Sequence, residues 1–307
     1  MKKIFISLLA TAALAGCSGN EENLAIDDGR PVPIELNAGV NTLSRAVIST
    51  GDEISNIGIA GWEAAMNNAN YEAEPTWHTH LSTTASTDKH GVEWLIRQYY
   101  NASEDIYTYM KAWHPCGDFN DNRIVDNKVS FSNNGTVDVM MADVVWGSKT
   151  QNVNKLLEFK HMTSQIQFKV QKGDGLTGGT KIQKIVIKNV QLPTGFDISK
   201  AYTDAKAITY AEAADLQVPS LNSNQEIVAD AITAGDPVMI RPTGSKSFEI
   251  NVETSGATYT DQTVTLDSEK MEAGYAYTIT LTFGQAGLDL TATVDEWKSA
   301  TGGAQLQ

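Results

Sequence analysis

The sequence predicts an all-β protein built of sandwiched sheets, on three observations. Tyr275, Tyr277, Ile279, Leu281 and Phe283 alternate with other residues without a break, and Leu288, Leu290, Ala292 and Val294 follow after Gly284 and Gly287. Alternation with period two is the mark of a strand with one buried face. Threonine is abundant on the opposite face, where a β-branched side chain suits a pleated surface. Helical periodicity is weak, and only 211–217 (Ala-Glu-Ala-Ala-Asp-Leu-Gln) reads as a short helix.

At the N-terminus, Lys2 and Lys3 precede an apolar stretch over 4–14, and Ala15, Gly16 and Cys17 close it. This is the layout of a secretory signal peptide over 1–16, too short for a membrane-spanning helix. Leu14-Ala15-Gly16-Cys17 looks like a bacterial lipobox, a signal whose cysteine thiol is acylated. Cys17 is thus expected to hold the chain to outer-membrane lipid, stably so if two or more acyl chains are attached. Residues 17–31 are polar and acidic and read as a tether.

Val32, Ile34, Leu36, Ala38 and Val40 then alternate with Pro33, Glu35, Asn37 and Gly39, giving a half-buried first strand. Pro33 near its start suggests a sheet edge, because proline lacks a ladder N–H. The polar run 41–46, which contains Arg45, follows at once. Further on, Phe248, Ile250 and Val252 alternate, and Ile182, Ile185 and Ile187 mark another strand. The spacing of Phe283 and Leu288 around two glycines reads as a hairpin, and Trp297, off the parity of the last run, suggests a bulge. Five of the six tryptophans (62, 77, 94, 113, 146) precede the polar stretch 147–155. The boundary is placed there, giving domains at 32–155 and 156–307. No short internal repeat points to a solenoid or propeller.

The formal charge is −14, and loss of Lys2 and Lys3 with the leader makes it −16. Such a balance disfavours nucleic acid, which needs Lys and Arg to neutralise phosphate. With Cys17 acylated only Cys116 remains, so no intramolecular disulfide is available and the core must hold the fold.

Candidate chemistry is sparse. His78 and His80 share one side of a strand but have no third ligand close in sequence, so no metal site is expected. The run Asp118-Phe119-Asn120-Asp121-Asn122-Arg123 has oxygen ligands at the first, third and fifth places of a calcium loop. Arg123 stands where glycine is required, however, and Val129 where a bidentate glutamate belongs. No nucleophile elbow, zinc-protease helix or phosphate loop is present, and neighbouring carboxylates (Glu104/Asp105, Asp295/Glu296) would face opposite sides of a strand. Neither an enzyme nor a cofactor is indicated. The aromatic span Trp94, Tyr99, Tyr100, Tyr107, Tyr109, Trp113 reads first as core. Its alternative reading is a glycan platform with Trp94 and Trp113 as contacts. Cys116 reads as a small semi-buried thiol.

Several segments together, in order, resemble the fimbrillin family of lipoprotein pilins. They are the leader with Cys17, and Pro33-Ile34-Glu35-Leu36 leading to Ser44-Arg45-Ala46, Gly51-Asp52 and Ile57-Gly58-Ile59. The mid-chain run from Val137-Asp138-Val139 through Phe159-Lys160-His161-Met162 follows, then Met271-Glu272-Ala273-Gly274-Tyr275 and Val294-Asp295-Glu296-Trp297. The stretch 62–115 matches least well.

The resemblance implies two transthyretin-like β-sandwich domains in tandem, and polymerisation by strand exchange. In such pilins an Arg-specific protease removes the first strand, and a neighbouring subunit fills the groove. Carried onto this chain, cleavage is expected between Arg45 and Ala46, with 32–45 the removable piece and Val32, Ile34, Leu36, Ala38 and Val40 the displaced side chains. Partners would be other pilin subunits, and the address the cell surface, in a fimbria. The competing reading is a surface lipoprotein that keeps its first strand and binds glycans or proteins of host or microbial surfaces.

Overall fold

The computed structural model describes residues 30–40, 54–83, 90–117, 124–152 and 155–296. Cys17, Arg45, Ala46, the 118–123 run and Trp297 lie outside them. All described strands belong to one compact unit, Pro31–Gln307, and no helix occurs among the described residues.

The first nine strands are β1 (Leu36–Val40), β2 (Ile57–Ala65), β3 (Trp77–Thr83), β4 (His90–Trp94), β5 (Ile106–His114), β6 (Lys128–Ser130), β7 (Met140–Ala142), β8 (Val145–Gly147) and β9 (Lys155–His161). All but β6 form one sheet in the order β2-β3-β4-β1-β9-β7-β5-β8, and β2 also pairs with β5. That extra pairing returns the path to its start, so seven strands close into a ring with β8 beside β5. Side-chain parity follows from the closure. Ile34, Leu36, Ala38, Ile57, Ile59, Leu81, Met110, Ala112, Met140, Ala142, Leu157 and Phe159 face one buried core, the interior of the ring. Closing a sheet removes the open edges that otherwise invite aggregation.

The second half supplies β10 (Ser164–Lys172), β11 (Ile182–Val190), β12 (Pro193–Asp197), β13 (Ile208–Tyr210), β14 (Ala214–Gln217), β15 (Ile232–Thr233), β16 (Val238–Ile240), β17 (Ser247–Thr254), β18 (Thr258–Thr265), β19 (Tyr275–Gly284) and β20 (Gly287–Glu296). β10, β15, β16, β19 and β20 form one sheet, and β14-β11-β17-β18 another. Their inward residues, among them Phe168, Ile187, Ile250, Tyr277, Ile279, Leu281 and Phe283, share one core, a sheet-on-sheet sandwich. The alternation seen in 275–294 is the β19–β20 hairpin, in unbroken register from Tyr275↔Glu296 to Gly284↔Gly287. The odd spacing of Ile182 and Ile185 reflects a register shift between Ile182 and Lys184.

Two expectations are corrected. Residues 211–217 form no helix: 214–217 are β14, paired with β11 through Val186↔Gln217 and Ile187↔Leu216. Tertiary pairing here overrides the helical preference of alanine and glutamate. The first strand is not at an edge: β1 lies between β4, antiparallel, and β9, parallel. Pro33 is tolerated because Ile34 N–H, one residue on, donates to Gln98 O at 3.0 Å. The proline nitrogen therefore points the other way, ahead of where β9 begins to pair, at the Lys155 N–H to Glu35 O bond.

A third core lies outside the ring. Ala60, Trp62, Trp113, Val139 and Met141 project outward there and meet Val129, Phe131, Phe196, Ile198, Ala207 and Ile208 around the small sheet β13-β12-β6. β6 thus comes from the first half of the chain but pairs with the second. Gly58 is needed here, since a Cβ would sit 2.5 Å from the Trp113 ring.

Candidate functional site

The feature with the clearest capacity to act is the first strand in its place in the ring. Ile34 and Ala38 are fully buried and Leu36 nearly so, with Val32 packed partly against the same core. Glu35 on the other face is exposed and pairs with Arg97. That exposed pair contributes little, about 0–1 kcal/mol. Five successive pairings, Leu36↔Lys155 to Val40↔Phe159, join β1 to β9, while Asn37↔Gly91 and Ala38↔His90 join it to β4. Lower down, Tyr100 N–H donates to Val32 O at 2.9 Å. The strand is thus bonded on both sides and seated by alternate side chains. Its covalent continuation, residues 41–53, carries Arg45 and Ala46 and lies outside the described residues.

The aromatic residues divide differently from the glycan reading. Trp113 is 2% exposed in the outer core, so its ring offers no face to a ligand. Trp94 is half-buried against Trp77, with ring centroids 6.2 Å apart. The two tryptophans therefore form no common platform. The exposed large aromatics are instead Tyr99 and Trp146, the latter edge-on to Tyr107 at 5.7 Å. His78 is exposed and His80 buried, and among the described residues no group of three His, Cys, Asp or Glu gathers as a metal site. Val129, at the twelfth place of the acidic run, is a core residue of β6. Cys116 is fully inside, its Sγ against Asn56 Oδ1.

Two buried polar arrangements escaped the sequence reading. Lys111 is 4% exposed, and its ammonium donates to the carbonyls of Ile198 (3.1 Å), Ser199 (3.0 Å) and Lys200 (3.1 Å), with the Tyr71 ring 4.0 Å away. A signal was present, for Tyr107, Tyr109, Lys111 and Trp113 share one parity, which puts a cation in a row of aromatics. Asp138 and His161 form the second, with Oδ1 and Nδ1 2.9 Å apart and both side chains buried. A carboxylate only accepts, so Nδ1–H donates. His114, half-buried nearby, is held below the usual histidine pKa by desolvation, against the opposing pull of Asp138. Asp138→Ala is expected to cost about 2–3 kcal/mol in urea unfolding, the size of a buried bond to a charged group. Asp138→Asn, which keeps an acceptor, should cost clearly less.

Comparison with known proteins fits this arrangement. Residues 1–18 match the lipid attachment site of prokaryotic membrane lipoproteins, so the chain has the leader of a lipid-anchored exported protein. Residues 44–297 match the fimbrillin-like family, and the chain belongs to that family. It is therefore a structural protein and no enzyme. A candidate cell adhesion protein from Bacteroides uniformis has the same fold at TM-score 0.60 and 15% identity, covering 88% of this chain and 99% of that one. Another from Bacteroides ovatus gives 0.56 and 16%, over 88% and 99%. A fimbrial assembly protein from Parabacteroides distasonis gives 0.51 and 12%, over 87% and 99%. At such identities the likeness is one of fold. No curated protein matches the chain.

Proposed function

We propose that this protein is a subunit of an adhesive surface pilus, exported as an outer-membrane lipoprotein precursor through Cys17 and activated by Arg-specific cleavage between Arg45 and Ala46. Assembly then proceeds by strand exchange into the groove vacated by 32–40. The observation that carries the reading is the place of β1 as one stave of a closed ring. Its ring-facing side chains fill the interior core, and its backbone bonds both neighbours. Withdrawing it would expose pockets about 6.6–6.8 Å apart along the groove. It would also free the N–H and C=O groups of β4 and β9, a template for an incoming strand. Uncovering Ile34 and Leu36 alone forgoes about 1.5–3 kcal/mol each, which a replacement strand would restore. Two sandwich-type domains meeting near residue 155 are part of the same reading.

Limited digestion of the purified precursor with an Arg-specific protease tests it, with the new N-terminus read by mass spectrometry and assembly followed on gels. The expected result is Ala46 as the new terminus and multimers that resist denaturant. Resistance at Arg45, or clean cutting that leaves only monomer, would overturn the proposal.

A further inference from the structure

Leu95, Ile96 and Tyr99 are 65%, 61% and 48% exposed, and these three of the most exposed large apolar side chains fall within five residues. They sit on an excursion of the chain. Between the pairs Asn37↔Gly91 and Pro33↔Tyr99 the first strand advances four residues and its partner eight. The surplus leaves the ladder after Leu81↔Trp94, where Leu95 N–H donates to His80 O at 3.0 Å, and returns at Gln98 O, which accepts from Ile34. Isolated apolar residues on a surface are ordinary, but a looped-out cluster is not. The run Trp94-Leu95-Ile96-Arg97-Gln98-Tyr99-Tyr100 has the composition of an interfacial segment, with aliphatic side chains among aromatic rings and a cation.

Position identifies the occupant. Tyr99 lies against Pro33, and Tyr100 bonds Val32, the point at which the chain arrives from its lipid-bearing end. Only thirteen residues, 18–30, lie between Cys17 and Pro31. At about 3.3–3.6 Å each they span at most about 50 Å, whatever path they take. We propose that Leu95, Ile96 and Tyr99 dock the precursor onto the bilayer that holds its own lipid. The protein is strongly acidic, so the contact rests on apolar insertion, and Glu35 beside the patch is already paired with Arg97. Tethering makes the encounter intramolecular, so even weak insertion is effective. The proposal rests on acylation of Cys17 and not on strand exchange. Cleavage that removes the anchor would end the docking too, and so release the flank of β1.

The full-length lipidated protein, reconstituted in phosphatidylcholine–phosphatidylethanolamine vesicles, tests this. An environment-sensitive fluorophore is placed at Ile96→Cys, at Leu95→Cys and, as a reference, at Val228→Cys, which is 39% exposed in the second half. Cys116 is 3% exposed and Cys17 acylated, leaving the new thiol to react. Expected is a blue-shifted emission at 95 and 96, quenched severalfold more than at 228 by lipids brominated near the headgroup. Quenching no greater than at 228 would overturn the proposal. So would a blue shift without bromolipid quenching that grows with protein density, since a second copy would then cover the patch.

Discussion

Leu36→Asp is expected to destabilise the precursor by about 3–5 kcal/mol and to release its first strand without any protease. Leu36 is 3% exposed, at the start of β1 and midway along 32–40, with the interior of the ring beneath it. The substitution forgoes about 1.5–3 kcal/mol of apolar burial and adds a carboxyl group with no partner. Burial raises that carboxyl's pKa above its unfolded value near 3.9, so the folded state takes up protons more readily than the unfolded. The penalty should therefore grow as pH rises above about 4, making the variant weaker at pH 7.5 than at pH 4.5 relative to wild type. Asn37→Asp, one residue along and on the outer face, should stay within about 0.5 kcal/mol of wild type. Urea midpoints give the stability difference, and gels of unproteolysed protein show whether multimers form. If Leu36→Asp unfolds the whole ring at once with no multimers, β1 is a structural stave rather than a replaceable plug.

Much of this strand was legible because Ile34, Leu36 and Ala38, on one of its faces, are buried. A period of two survives in the sequence only where core and solvent alternate, and 32–40 meets that condition, as do 248–252 and 275–294. What could not be read was the neighbour on each side. Pro33 looks like an edge signal because the rule concerns a missing N–H, and the sequence does not say toward which strand that N–H would point. Residues 211–217 misled for a related reason, since β14 is a mostly exposed strand with no buried face to impose a period.

The outer core explains why Trp113 could be taken for a surface residue. Strands β2 and β5 are buried on both faces, Met110 and Ala112 toward the ring interior and Trp113 toward the small sheet. A strand covered on both sides loses its alternation, and composition then cannot separate core from platform. Gly58, whose missing side chain makes room for the Trp113 ring, was the available hint. The buried Asp138 gave no such sign, because a single carboxylate in a run of valines and methionines has the same sequence whether it faces His161 or water.

Lys111→Met is expected to lower stability at pH 7 by about 2–4 kcal/mol while keeping most of the side-chain volume. Three carbonyls, of Ile198, Ser199 and Lys200, lose their shared donor, and bonds to a charged group contribute about 1.5–3 kcal/mol each. Relief of the desolvation borne by the buried ammonium offsets part of that loss. Burial lowers the Lys111 pKa to about 8, opposed by the nearby Asp197 and Glu72 carboxylates. The folded pKa thus lies below the unfolded one near 10.4, and between the two the unfolded chain binds more protons. Stability of the wild type should therefore rise relative to Lys111→Met by up to about 1.4 kcal/mol per pH unit across that window. Below pH 8 the difference between the two proteins should be flat. The comparison is read as a difference between parallel unfolding curves, which cancels every titration that the two proteins share. A gap that stays constant from pH 7 to 10 would mean that Lys111 keeps an ordinary pKa. The three carbonyls would then hold it as a solvated cation, and the outer face of the ring and the 197–200 turn would be joined by packing of Trp62, Phe196 and Ile198 rather than by charge.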